Sequence, residues 1–426
     1  MPKSAQKPIE QIHESKGHRM IRSFDEPKIF INNYFRSLKS VDFGSIPVLA
    51  GLVIIGLIFQ LANKNFLSPL NLTNLMTQIS AIGILSVGII LVLLIGEIDL
   101  SVGAVSGVTS AIMAVLIVTY HFPSIIAIFI AVLVGLIIGA TQGFLVAKIR
   151  IPSFIVTLAG LLIWQGVQFS VLGDTGTINL RDPLIRGIAN ALLPPWMGWL
   201  LGIIAVIVVT SSTLLQRRER IRVGLNLQPI SIEISRILLI SIVLMAAIGL
   251  MNINRNLQPQ GRPILGVPSA VLCFIGIIVL FHLLTRYTVF GRHIYTIGGN
   301  ADAAGRASID VDKIRILTFS LCSGLAACGG MVFASRLIAV NYGSGGGDVL
   351  LNAIAAAVIG GTSLYGGRGS IWSALLGALV IGSISNGMDL LSFSSSTKYI
   401  VTGIVLLLAV ILDSISRARR QRSGRG

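Results

Sequence analysis

The strongest constraint on this chain is a succession of a dozen long apolar stretches joined by short polar connections. They lie near 46–63, 75–95, 102–119, 124–146, 153–172 and 196–215, and again near 237–252, 264–284, 314–337, 350–365, 371–389 and 398–413. A helix needs about 20 apolar residues to cross the hydrocarbon core of a bilayer. Inside lipid every backbone N–H and C=O must find its partner within the chain, so runs of this length are expected as helices. Several are short, and these read as half-spans or re-entrant segments. Composition agrees: 54% of residues are apolar and 12% charged, about half the roughly 25% charge usual in soluble domains. The 46 glycines suit helices that pack closely in lipid. Disordered, collagen-like, coiled-coil and disulfide-scaffold classes are excluded. The expected fold is an all-α polytopic membrane protein of about 10–12 transmembrane helices.

Charge placement gives the orientation. With twelve crossings, 26 of the 33 Lys and Arg fall on the side of the two termini and 7 on the other, so both ends are expected in the cytoplasm. The domain reading is a polar N-terminal tail over 1–45 without a cleavable signal, a transmembrane body over 46–413 with a cytoplasmic coupling loop over 286–315, and a basic tail over 414–426. Residues 29–43 mix apolar and basic side chains and read either as a segment lying on the membrane surface or as a plain linker. The net charge of +16 sits between apolar runs and at the ends, not in a face interleaved with aromatics, which argues against nucleic acid. Cys273, Cys322 and Cys328 lie in apolar runs and read as small buried hydrophobes.

The missing motifs narrow the chemistry further. There is no GxxxxGK[ST] loop and no Gly-Lys pair, so the chain is not expected to hydrolyse ATP. HExxH, GxSxG and ligand-spaced histidines are also absent, so no enzyme activity, bound cofactor or metal is expected. Carboxylates are scarce in the apolar runs, which weakens the alternative of an ion-coupled carrier.

Three segments break the pattern. The first, Ile95-Gly96-Glu97-Ile98-Asp99-Leu100-Ser101-Val102-Gly103, wedges two carboxylates between apolar runs. It reads either as a tight turn with Asp99 capping the next helix or as a helix break lining an aqueous route. The second, Ile359-Gly360-Gly361-Thr362-Ser363-Leu364-Tyr365-Gly366-Gly367, repeats the pattern I-G-x-x-x-L-x-x-G 264 residues later, and the span count gives both the same orientation. The third runs from Arg286 to Arg315. Gly298, Gly299 and Asn300 make a turn there, and Asn300 is placed to cap a short helix carrying Ala301, Ala303, Ala304, Arg306 and Ala307. So little side chain lets another surface approach closely, which favours a partner-docking helix over Asn300–Ile309. On the other side, the polar Asn341–Asp348 segment reads either as an ordinary flexible loop or as a surface that meets an external partner.

Taken in order, these segments resemble the bacterial sugar ABC transporter permeases, the ribose, arabinose, galactose and xylose group. Further carriers of the resemblance are Pro152-Ser153-Phe154-Ile155-Val156-Thr157-Leu158-Ala159-Gly160, Phe290-Gly291-Arg292-His293-Ile294-Tyr295, Ser385-Asn386-Gly387-Met388 and Gly403 to Asp413. Glu97, the Pro152–Leu158 stretch and the insert around 173–262 are most similar to the D-xylose members. The resemblance implies a permease in the bacterial inner membrane, paired with a second copy of itself. It also implies a cytoplasmic ATPase subunit that binds ATP and Mg, a periplasmic sugar-binding protein and a neutral monosaccharide. Gly298, Gly299, Asn300, Ala303, Ala304, Arg306, Ser308 and Ile309 then match the helix that couples to the ATPase. Gly96, Gly103, Gly360, Gly361, Gly366 and Gly367 form the helix breaks, and Glu97, Asp99, Ser101 and Asn386 are placed near the route. One departure stands out: Ser308 occupies a place where relatives carry glycine, so either the exit turn differs or the partner ATPase is adapted to it.

Overall fold

The structure is a computed structural model and describes residues 46–224, 230–256, 258 and 261–422. The expected tail over 1–45 lies outside the described residues, as does the chain beyond Arg422. The described residues form α1 (Ile46–Ala62), α2 (Pro69–Leu94), α3 (Val102–Val118), α4 (Ser124–Ala147), α5 (Ser153–Leu172), α6 (Pro183–Asn190), α7 (Pro195–Arg222) and α8 (Ile230–Met251). There follow α9 (Ser269–Tyr287), α10 (Val289–Gly299), α11 (Ala301–Arg306), α12 (Val311–Leu337), α13 (Gly347–Ile359), α14 (Ser373–Leu390) and α15 (Ser395–Arg422). Two three-residue strands, β1 (Thr177–Asn179) and β2 (Ala339–Asn341), pair antiparallel with Ile178 opposite Val340. Eight helices (α2, α4, α5, α7, α8, α9, α12 and α14) are long and apolar enough to cross a membrane, and four shorter apolar helical stretches accompany them.

Helices α2 and α12 form the centre. Every residue of α2 from Ile79 onward is buried, as suits a helix apolar all round. Close approach relies on missing side chains. On α4, Gly135, Gly139 and Gly143 recur every fourth residue, and a methyl group on any of them would strike Ser323, Phe319 or Ile316 of α12. This is the small-residue stripe that brings helix backbones together in lipid. Gly83 of α2 likewise receives the Phe274 ring of α9. By contrast, α7 and α8 pack mainly on each other, with Gly198 and Gly202 the buried residues of α7. They form a peripheral hairpin with an Arg217–Glu233 ion pair at 2.8 Å.

Each of the twelve expected apolar stretches contains a helix, but some ends move. The stretch over 350–365 stops as a helix at Ile359. Beyond it a side chain at Gly360 would meet the Ser373 backbone, and Gly361 adopts φ +102°. At 1.5 Å per residue α13 spans about 20 Å, short of the roughly 30 Å core. Conversely, α15 carries on through the expected 413 boundary to Arg422. The 286–315 stretch, expected as a loop with one short helix, carries that helix as α11 and a second, α10, before it.

Candidate functional site

The glycine-rich breaks meet at one end of the bundle. Helix α2 ends at Leu94 and turns through Gly96 at φ +80°, while the connection from α13 to α14 turns through Gly366 at +85° and Gly367 at +71°. Side chains disfavour these backbone angles, which explains the glycines. Gly367 N–H donates to Leu94 O at 2.9 Å. Gly298, near the end of α10, fills the third side: a methyl there would land on Leu94 O and on the Gly367 amide nitrogen. Tyr295 Oη, one turn earlier, donates to Gly369 O at 3.0 Å. Three segments distant in the sequence therefore share one junction, with the two matching breaks side by side.

The first break is held in extended form by neighbouring helix ends. Ser153 Oγ accepts from Ile98 N–H at 3.2 Å, and Thr157 Oγ1, one turn along α5, donates to Ile98 O at 3.3 Å. Asp99 is 2% exposed. Its Oδ1 accepts from the Ser101 amide at 2.8 Å and lies 2.7 Å from Ser101 Oγ, which is 3.0 Å from Gln142 Oε1 of α4. Asp99 thus closes the turn just before α3. Its side chain is buried at this turn in this conformation. Glu97 points the other way and pairs with Arg315 of α12 at 3.1 Å, both side chains mostly covered.

Glu97 and Arg315 border a cleft of about 780 Å³ that also takes in Arg150, Ser153, Asp302, Gly305, Arg306 and Asp312. One wall is α11. Asn300 Oδ1 accepts from Ala303 N–H at 2.9 Å, capping this helix as its sequence predicts. Ala304 is buried, whereas Asp302, Ala303, Gly305 and Arg306 are exposed, leaving a nearly bare ridge. The helix ends at Arg306, within the expected Asn300–Ile309 docking segment. Ser308 and Ile309 form its exit turn, in which Ile309 N–H donates to Ala304 O at 3.1 Å. Ser308 takes φ +62°, so the turn keeps the left-handed angle that glycine would adopt. The expected change of turn is replaced by strain in the serine backbone. At the cleft's edge Lys148 donates to Asp312 at 2.9 Å, and that carboxylate holds the ammonium above the usual lysine range.

The loop at the far end of α12 departs from expectation. Gln168 of α5, 1% exposed, donates to Asn341 O at 2.9 Å and to Ser344 O at 3.0 Å. The segment is folded inward so that Gly345 lies against Gly103 and Ser344 against Gly107 of α3. It is a built wall, not a loose loop.

The junction therefore gathers Gly96, Gly298, Gly366 and Gly367, while Glu97 joins the cleft. Gly103 lies away from them, against Gly345, and Gly299 and Asn300 are exposed. Asn386 lies apart, where its Oδ1 accepts from Asn71 Nδ2 at 2.7 Å between α14 and α2. Sequence reasoning missed Arg315, which counted only as an orienting charge, and also Gln142, Ser153, Thr157 and Tyr295. The i, i+4 spacing of Ser153 and Thr157 just after Pro152 was the available signal.

A multi-pass helical bundle with two broken helices at its centre and a bare exposed helix beside them is the architecture of a membrane transport component. The chain matches, over residues 71–410, the family described as branched-chain amino acid transport system / permease component. It is 36% identical over 383 residues to the xylose transport system permease protein of Haemophilus influenzae, covering 90% of this chain and 99% of that one. Against the Escherichia coli protein of the same name it is 34% identical over 386 residues, 90% and 95% of the two chains. The ribose import permease protein of Escherichia coli is 33% identical over 368 residues, 86% and 92% of the two chains. No solved structure matches. The chain belongs to this family of permease components, and it is a transporter subunit, not an enzyme.

Proposed function

We propose that this chain is the membrane-spanning subunit of an ATP-binding-cassette sugar importer in a bacterial inner membrane, with D-xylose as its substrate. The observation that carries this reading is the similarity to two xylose permeases across 90% of the chain, ahead of the ribose permease. The family description names branched-chain amino acids, but these relatives are named for sugars. In this reading a second copy of the chain completes the route, and both termini face the cytoplasm. A periplasmic binding protein delivers the sugar, and a separate ATPase subunit holds ATP and Mg.

The exposed ridge of α11 suits docking to that ATPase, with Gly298, Gly299, Asn300, Ala303, Ala304, Arg306, Ser308 and Ile309 forming the coupling segment. ATP-driven closure of the ATPase pair presses on α11. Gly298 and Arg315 flank that helix along the chain and pass the motion to the first break through Leu94 and Glu97. Rigid-body switching of the helices then opens the route to one side or the other. Glu97, Asp99, Ser101 and Asn386 are assigned positions near that route, the breaks at Gly96, Gly103, Gly360, Gly361, Gly366 and Gly367 acting as its hinges.

The test is ATP hydrolysis by the chain reconstituted with its ATPase and binding protein, comparing D-xylose, ribose, arabinose and galactose. Stimulation by xylose alone supports the reading. Stimulation by another sugar keeps the importer and removes the xylose assignment. Sugar uptake driven by a proton gradient in vesicles without ATPase would overturn the importer in favour of a secondary carrier.

A further inference from the structure

A chamber of about 190 Å³ lies between α3, α12 and the inward-folded 342–346 loop, at the opposite end of α12 from the coupling segment. We propose that it is a monosaccharide subsite on the permease itself, an inference that rests on the sugar-importer reading above. Its volume corresponds to about six water molecules at roughly 30 Å³ each. That is the scale of one small sugar and well below the roughly 300 Å³ at which drug-sized sites begin.

The lining has the chemistry of a polyol site. Ser106 and Ser110 are both buried and stand one turn apart on α3, so they face the same way. Each hydroxyl proton is already used, Ser106 Oγ donating to Gly103 O and Ser110 Oγ to Ser106 O, both at 2.6 Å. Their oxygen lone pairs remain as acceptors, which is what the hydroxyl protons of a sugar need. Across the chamber Ser344 is fixed by Gln168 and by the Asn341 amide, which donates to Ser344 Oγ at 3.0 Å. Asp348, exposed in the first turn of α13, adds a carboxylate with several acceptor sites, and Phe333 offers a ring for the C–H face of a pyranose. Gly330 belongs to the wall because a methyl there would strike Ser106 O and Ser110 Oγ.

No Lys or Arg lines the chamber. An amino acid would bring a carboxylate with no cation to meet it, while a neutral sugar needs none. The site therefore distinguishes the solute named in the family's description from those of the sugar relatives. A weak holding point here keeps a sugar leaving its binding protein from escaping before the helices switch.

The experiment uses the full chain assembled with its ATPase and binding protein, with Ser344→Cys introduced and the native chain as the labelling background. Labelling by a membrane-impermeant thiol reagent is followed in the presence of xylose, ribose or leucine. Millimolar xylose is expected to slow labelling at least threefold and leucine to leave it unchanged. Ser110→Leu, which fills the chamber, is expected to abolish xylose uptake and the protection together while assembly with the ATPase persists. Unchanged labelling with xylose and ribose, in a preparation that takes up xylose, would overturn the subsite, as would protection by leucine. Failure of the native complex to take up any sugar would instead overturn the importer reading on which the proposal rests.

Discussion

Two adjacent glycines are expected to behave in opposite ways, and the difference tests the three-segment junction directly. A methyl group at Gly298 would overlap the Leu94 carbonyl oxygen and the Gly367 amide nitrogen, both backbone atoms that cannot rotate away. Overpacking of this kind costs about 1–3 kcal/mol. It also separates the 2.9 Å Gly367–Leu94 hydrogen bond, whose loss at a half-buried donor adds about 0.5–1.5 kcal/mol. Gly298→Ala is therefore expected to destabilise the chain by about 1.5–4.5 kcal/mol. At about 2 °C per kcal/mol for a large chain, that lowers Tm by roughly 3–9 °C. Gly299 has nothing within 4 Å of where its methyl would lie and sits in the last turn of α10. Gly299→Ala should leave Tm unchanged or raise it slightly, since Ala is favoured over Gly in a helix by about 0.5–1 kcal/mol. The assay is thermal denaturation of both purified variants in detergent, followed by tryptophan fluorescence. Equal shifts for the two variants, or no loss for Gly298→Ala, would refute the junction.

Three further outcomes follow from the same geometry. Glu97→Gln removes a partly exposed ion pair worth at most about 1 kcal/mol, so Tm should hardly move while uptake falls and ATPase assembly persists; normal uptake would remove Glu97 from the coupling route. Ser308→Gly releases a left-handed serine at φ +62° and should stabilise the exit turn by about 0.5–1 kcal/mol after the added chain entropy of glycine is counted, read as a small rise in Tm. Asn300→Ala deletes the α11 cap at a cost of about 1 kcal/mol; the isolated chain should stay folded while recovery of the ATPase on co-purification drops, and undiminished recovery would show that α11 does not dock it.

The sequence by itself determined the class of fold. Lipid offers no hydrogen bonds, so long apolar runs have to be helices, and the length each needs follows from the bilayer's thickness. It also marked the breaks at Gly96 and Gly360–Gly361 and the Asn300 cap, because these depend on local backbone angles and on side chains within three residues. It did not show that Gly96 and Gly298 both lie against Gly366, that Glu97 pairs with Arg315 across 218 residues, or that Ser153 and Thr157 clamp Ile98. Nor did it show that Asn341–Asp348 folds inward onto Gln168, since a glycine-rich polar loop looks the same in sequence whether free or held. Those partners were decided by which helices pack on α2 and α12, through glycine stripes whose spacing reveals a contact face but not its occupant.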